Sequence, residues 1–259
     1  ARADVAAPLA ARAAAWEYWS WPGMTILHGA CTNDSSGRMV RLLLDWRANP
    51  GARDSLCATP LHLALALGDF AVVDALMEHN PSIACLTDNF GSPPWFLAVN
   101  QGRSWVVKRF LEKYSDFVDR NPDFRNGFGC PVVANASLGG DLETLTAVLA
   151  LGYDVNAKTQ VNPKKFLAHH HFSRLRTFSC RPRCRGLVSE LSANLRGSSA
   201  LSLAAYFGHV EVIKALLDAQ GDVHNLNDAR RTALMLASMR GRVECVRALI
   251  QAGSRLGVT

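Results

Sequence analysis

Apolar residues recur along this chain with a helical spacing that restarts at fixed points. The stretch "TPLHLALALGDFAVVDALM", beginning at Thr59, aligns without gaps to starts at Thr25, Pro93, Pro131, Ser199 and Thr232. Met39, Val73, Val107, Leu145, Ile213 and Val246 share one position of this register. The pairs Leu42-Leu43, Leu76-Met77, Phe110-Leu111, Val148-Leu149, Leu216-Leu217 and Leu249-Ile250 follow three and four residues later. That spacing lays each set on one helical face. Ahead of it stands a glycine in five units (Gly68, Gly102, Gly140, Gly208, Gly241) and Asp34 in the first. Glycine there suits a tight turn needing positive φ. Each unit therefore predicts a short helix, a turn, a second helix and a polar connection. The tetrads "DNFG" and "NLRG" before Pro93 and Ser199 carry turn chemistry.

Thr59, Pro60, Leu61, His62 and Ala64 nearly spell Asp-x-x-Gly-x-Thr-Pro-Leu-His-x-Ala, and in this the chain resembles the ankyrin repeat over residues 23–253 apart from one insertion. The resemblance implies an all-α ankyrin-repeat solenoid of six helix-turn-helix units with hairpin or loop connections. It also implies that His28 and His62, at the fourth position, tie neighbouring loops together. The third unit departs with "PPWFLA", placing Trp95 and Phe96 at pattern positions, and the fourth with "PVVANA". Both are expected to pack but to be less regular. Trp95 and Trp105 fall at or beside buried-pattern positions, and extra residues before Pro131 predict a longer loop.

The interval from Pro131 to Ser199 is twice the usual one, so a hidden repeat is the first alternative to test. Anchored near Lys164, it places Arg181 and Pro182 at paired apolar positions, and proline inside a helix costs about 3 kcal/mol. A regular repeat is rejected. The expected division is a capping segment at 1–22, repeats one to four at 23–156, an insertion at 157–193 and repeats five and six at 194–259.

Charge sets the insertion apart. Residues 157–196 hold nine lysines and arginines against one acid, Glu190, whereas the whole chain is only +6. Three readings of "HHHFSRLRTFSCRPRC" stay open: a solvated loop, a polyanion site at Arg174, Arg176, Arg181, Arg183 and Arg185, or zinc held by Cys180, Cys184 and a histidine pair. The surrounding arginines oppose a dication, so no metal ligand is assigned.

With 49% apolar and 19% charged residues in 259, the composition is that of a globular protein. No apolar run reaches the ~18 residues that suggest a membrane span. Seven cysteines, an odd count with five of them scattered, favour free thiols and an intracellular, cytoplasmic setting. There is no Walker loop, no Gly-x-Ser-x-Gly elbow and no His-Glu-x-x-His, so no enzyme and no cofactor are expected.

The family resemblance instead implies a protein-interaction scaffold that binds another protein through its concave surface, as a monomer or within a larger chain. Phe90, Phe128, Arg196, Arg230 and Arg231 stand at its turn tips as candidate contacts. The alternatives are nucleic acid, anionic lipid or acidic protein bound at the insertion, and a regulatory segment of a larger enzyme or channel. At the ends, Trp16, Trp19 and Trp21 predict a capping helix over residues 11–20, while the last repeat lacks a polar cap.

Overall fold

The computed structural model describes residues 22–33, 36–100, 102–118, 121, 124–126, 129–160 and 196–254. The expected capping helix lies outside them. The chain divides into two compact units, one through Asp119 and one from Arg120 onward.

Unit 1 contains three helix pairs: α1 (Ile26–Asn33) with α2 (Arg38–Asp45), α3 (Pro60–Leu67) with α4 (Phe70–His79), and α5 (Pro94–Asn100) with α6 (Ser104–Tyr114). Unit 2 contains α7 (Val132–Gly139) with α8 (Leu142–Leu149), α9 (Ala200–Phe207) with α10 (Val210–Asp218), and α11 (Ala233–Met239) with α12 (Val243–Gln251). No strand occurs among the described residues beyond one isolated bridge between Arg125 and Pro131.

Local chemistry sets the helix ends. Pro60 opens α3, where its missing N–H costs nothing, and Gly68 closes it at φ 83°. Asp69 then caps α4 by accepting the N–H of Val72, as Asp141 does for Thr144 at α8. Ser199 and Thr232 cap α9 and α11 in the same way.

First helices stack on first helices. In unit 1, α3 packs between α1 and α5; in unit 2, α9 packs between α7 and α11. The fifth repeat therefore stacks directly on the fourth, despite the long stretch of chain between them. The ring of His209 lies against Gly140, where an added Cβ would come within 2.8 Å of its Cγ. Leu61, Leu65, Val72, Val73, Leu76 and Phe96 fill the core of unit 1, and Leu145, Val148, Ile213, Leu216, Leu236 and Leu249 that of unit 2.

Four expectations need correction. In α2 the core residues are Val40 and Leu44, while Met39 and Leu42 are each 51% exposed. The turn before α2 is longer, with Gly37 at φ 67° immediately ahead of the helix, so the apolar face shifts by one residue. Trp95 is buried as expected, but Trp105 is 49% exposed, tilted against Phe70 at 6.3 Å. Part of the extra length before Pro131 extends α6 to Tyr114 and adds a 3-10 turn at Ser115–Phe117, where only a longer loop was expected. The fourth repeat is no less regular than its neighbours, since α7 and α8 have 8 residues each and Val132, Val133, Ala134 and Ala136 are buried.

Candidate protein-recognition surface

Each turn between repeats is folded by one short polar side chain. The Asp54 carboxylate accepts the N–H groups of Leu56 and Ala58 at 2.8 Å, while its own N–H donates to the Ala58 carbonyl at 3.0 Å. Asp88 does the same with Phe90 and Ser92. In unit 2, Asn126 closes on Cys130 and Asn227 on Arg231. Such Asx turns satisfy backbone donors that the tight reversal leaves unpaired.

The turn before the fifth repeat is built differently. Thr159 takes the aspartate's place: its hydroxyl accepts the N–H of Ser198 at 3.1 Å, and its N–H donates to the Ser198 carbonyl at 2.9 Å. Gly197 returns an N–H to the Thr159 carbonyl at 3.0 Å. Gln160 and Arg196, the described residues on either side of 161–195, both stand at this turn.

Histidines lock the tips of unit 1. The N–H of Thr25 donates to His28 Nδ1 at 3.1 Å, which leaves the proton on Nε2 to donate to the Ala58 carbonyl at 3.1 Å. His62 repeats this with Thr59 and Ser92. These links bear out the loop-tying role that the family pattern implied. Burial drives the His62 pKa down to about 4 and pushes Asp88 up to about 6, although the N–H groups of Ser92 and Phe90 pull Asp88 back. His28 is lowered and Asp54 raised, again chiefly by burial. Unit 2 uses the neutral Asn126 and Asn227 at the corresponding turns.

Two further regularities were not read from the pattern. Arg53 donates to the Thr87 carbonyl at 3.0 Å, Arg125 to the Lys158 carbonyl, and Lys158 to the Leu226 carbonyl at 2.8 Å. All these residues stand at one register position, so each brace ties a tip to the next. Their shared place ahead of the anchors was the available signal. The second regularity is a left-handed residue in every tip, occupied by Gly23, Gly91, Gly129 and Gly197, but by Cys57 at φ 57° and Arg230 at φ 56° in the other two.

The sequence candidates are placed as follows. In unit 1, Phe90 is half-buried and gives its N–H to Asp88. In unit 2, Arg196 is exposed and pairs with Asp228 at 3.2 Å, Arg230 is exposed on the last tip, and Arg231 beside it is half-buried. The structure thus gathers Arg196, Arg230 and Arg231 on the tips of one unit. Phe128, Arg174, Arg176, Arg181, Arg183 and Arg185 lie outside the described residues, as do Cys180 and Cys184. Among the described residues no group of three or more His, Cys, Asp or Glu is arranged for a metal, and no helix is long and apolar enough to cross a membrane.

A family model described as "Ankyrin repeats (3 copies)" matches residues 27–121 and 178–259, and the chain belongs to the ankyrin-repeat family. Helices α7 and α8 fall between the two matched stretches yet form a repeat of the same kind. The chain is 30% identical over 110 residues to the nuclear factor NF-kappa-B p105 subunit of Gallus gallus, covering 42% of this chain and 11% of the relative. It is 28% identical over 137 residues to a putative ankyrin repeat protein of fowlpox virus (strain NVSL), covering 53% of this chain and 30% of the relative. It spans 8% to 30% of the length of the curated relatives it matches. The crystal structure of the ankyrin repeat domain of Bcl-3, a member of the IkappaB protein family, superposes with a TM-score of 0.61 at 22% identity, covering 90% of this chain and 84% of that one. That likeness carries the fold alone.

Proposed function

We propose that this chain is a recognition module that binds another protein through the turn tips and first-helix surfaces of its ankyrin repeats. The supporting observation is that the tips are exposed yet held in place, by Asx-type turns, histidine links and side-chain braces from one tip to the next. A surface ordered before binding loses little conformational entropy when a partner docks. Ankyrin repeats are in general non-enzymatic interaction modules, and the short share of its relatives that the chain spans fits a module working within a larger protein.

Binding to an acidic protein, nucleic acid or anionic lipid through Arg174, Arg176, Arg181, Arg183 and Arg185 is the second reading. It is favoured by the exposure of Gln160 and Arg196, the described residues that flank 161–195.

The first reading is tested by calorimetry against a protein partner purified with the full chain. Joint replacement of Phe90, Arg196, Arg230 and Arg231 by alanine is expected to weaken binding more than tenfold. Replacement of Glu211, Lys214 and Arg247 on the outer helices is expected to change it less than twofold. The reverse order rejects the tip surface.

A further inference from the structure

We infer that the outer face of α2, in unit 1, is a self-association surface on which two copies of this chain pair antiparallel about a two-fold axis. This goes beyond the protein-recognition reading and does not rest on it.

Met39, Leu42 and Trp46 stand at i, i+3 and i+7, which sets them in one row along the helix. Trp46 continues the last turn, its N–H donating to the Leu42 carbonyl. The row faces away from the core: Met39 and Leu42 are half exposed and Trp46 is 62% exposed, while Val40 and Leu44 are buried. The other second helices differ here. Aligned on their buried residues, α10 has Glu211, Lys214 and Asp218 at these three positions, and α12 has Glu244, Arg247 and Gln251. Trp105 of α6 is the one large apolar side chain that any other second helix places there, and it leans on Phe70. A face that is mainly polar in the other repeats is thus an apolar stripe in the first, and contiguous exposed apolar surface marks a contact.

Charge selects a second copy as the occupant. Arg38, Arg41 and Asp45 form another row of the same spacing along one flank of the stripe. Arg41 reaches Glu78 at 3.8 Å, with both side chains about half exposed, so that pair is weak. Arg38 and Asp45 have no ion-pair partner among the described residues. A two-fold axis through the middle of the stripe keeps like flanks together and reverses their order. Met39 then stands level with Trp46 of the second copy, and Leu42 beside its own counterpart. Asp45 falls within about 3 Å, measured along the helix, of the levels of Arg38 and Arg41 of the second copy, at a rise of about 1.5 Å per residue. A thioether against an indole is a favourable contact, and a guanidinium meets a carboxylate through two donors. A foreign partner accounts for the stripe but not for a row of charges that complements itself.

The stripe and its flank occupy one helix of 8 residues, which presents less than the ~1,200–2,000 Å² that a stable complex buries. The dimer is therefore weak, formed at high local concentration and lost on dilution. The monomer expected from the sequence is one side of this equilibrium.

Sedimentation equilibrium of the full chain, from micromolar to sub-millimolar concentration at physiological salt, tests the inference. A reversible monomer–dimer equilibrium is expected. Met39→Glu, Leu42→Lys and Trp46→Asp together give α2 the residue types that α10 already carries at these positions, so the variant is expected to fold and to associate at least tenfold more weakly. Met239→Gln with Val243→Gln removes exposed apolar surface from the last repeat instead, and is expected to change association less than twofold. The charges are tested by exchange. Asp45→Arg in one variant, and Arg38→Asp with Arg41→Asp in another, each set like charges across the axis and are expected to leave monomers. Mixed in equal amounts, these two variants are expected to form a heterodimer. All variants are checked for an unchanged cooperative melt. A full chain that stays monomeric at every concentration overturns the inference, as do equal losses in the two apolar variants or charge variants that fail to pair when mixed. A chain that dimerises only once residues 1–21 are removed assigns the stripe to that segment and overturns the inference as well.

Discussion

Thr159 and Ser198, 39 residues apart, make the same pair of hydrogen bonds that Asp54 and Ala58 make at a separation of 4. The turn that leads into the fifth repeat is thus closed by residues on either side of the long segment. Removing residues 161–195 should leave a single cooperative melt and an unchanged helical circular dichroism spectrum. Closing a loop costs about 0.6 kcal/mol per doubling of its length, so the shortened turn is expected to gain as much as about 2 kcal/mol. Loss of the cooperative transition would mean that the removed residues belong to the core.

Leu216, on α10 in the core of unit 2, has no exposed surface. Its truncation to alanine should cost about 2–5 kcal/mol in urea denaturation, the range for a buried leucine that leaves a cavity. Arg230→Ala should cost less than about 1 kcal/mol, because the side chain is exposed and the left-handed backbone is already strained with arginine in place. Equal costs would contradict the register.

The helical register was legible because a buried face must recur about once per helical turn, and pairs such as Leu76-Met77 and Leu216-Leu217 mark that face three and four residues after Val73 and Ile213. The stretch read as an insertion stands out as a charge anomaly for a related reason: arginines and a proline suit core positions poorly. What stayed hidden depended on groups without a distinctive pattern. A threonine standing in for aspartate at 159 is visible only through its partner at 198. The shift in α2 follows from a longer turn that the Leu42-Leu43 pair disguised. Among the candidate contacts, Arg230 was legible by its place in a turn, while its positive φ was not.

Gly140 and Gly152 separate backbone strain from crowding. Both have positive φ, but a methyl group at 140 meets the ring of His209, whereas one at 152 meets nothing within 4 Å. Gly152→Ala should cost about 1 kcal/mol from strain alone, and Gly140→Ala clearly more, by thermal denaturation. An equal cost would place His209 elsewhere.

Acid should act on unit 1 through opposed groups, of which Asp88 and His62 carry the largest shifts. Asp88 rises from 3.8 to about 6, so its folded form holds a proton more tightly; that contribution is complete below about 3.8 and lost as pH climbs through about 6. His62 falls from 6.5 to about 4, so its contribution is complete above 6.5 and lost as pH drops through about 4. In the wild type they offset each other in this window. Asp88→Asn keeps an acceptor for Phe90 and Ser92 but removes the titration. The variant should be more stable at pH 7, by on the order of 2 kcal/mol, and should lose stability more steeply between pH 6.5 and 4. Parallel pH profiles for variant and wild type would contradict this.

Amide hydrogen exchange of the full chain, alone and bound to a purified protein partner, tests the recognition surface most directly. Binding is expected to slow exchange in turn peptides covering residues 54–58, 88–92, 196–198 and 227–231, with α4, α10 and α12 unchanged. Protection confined to those outer helices, with the turns exchanging as in the free chain, would contradict recognition through the tips.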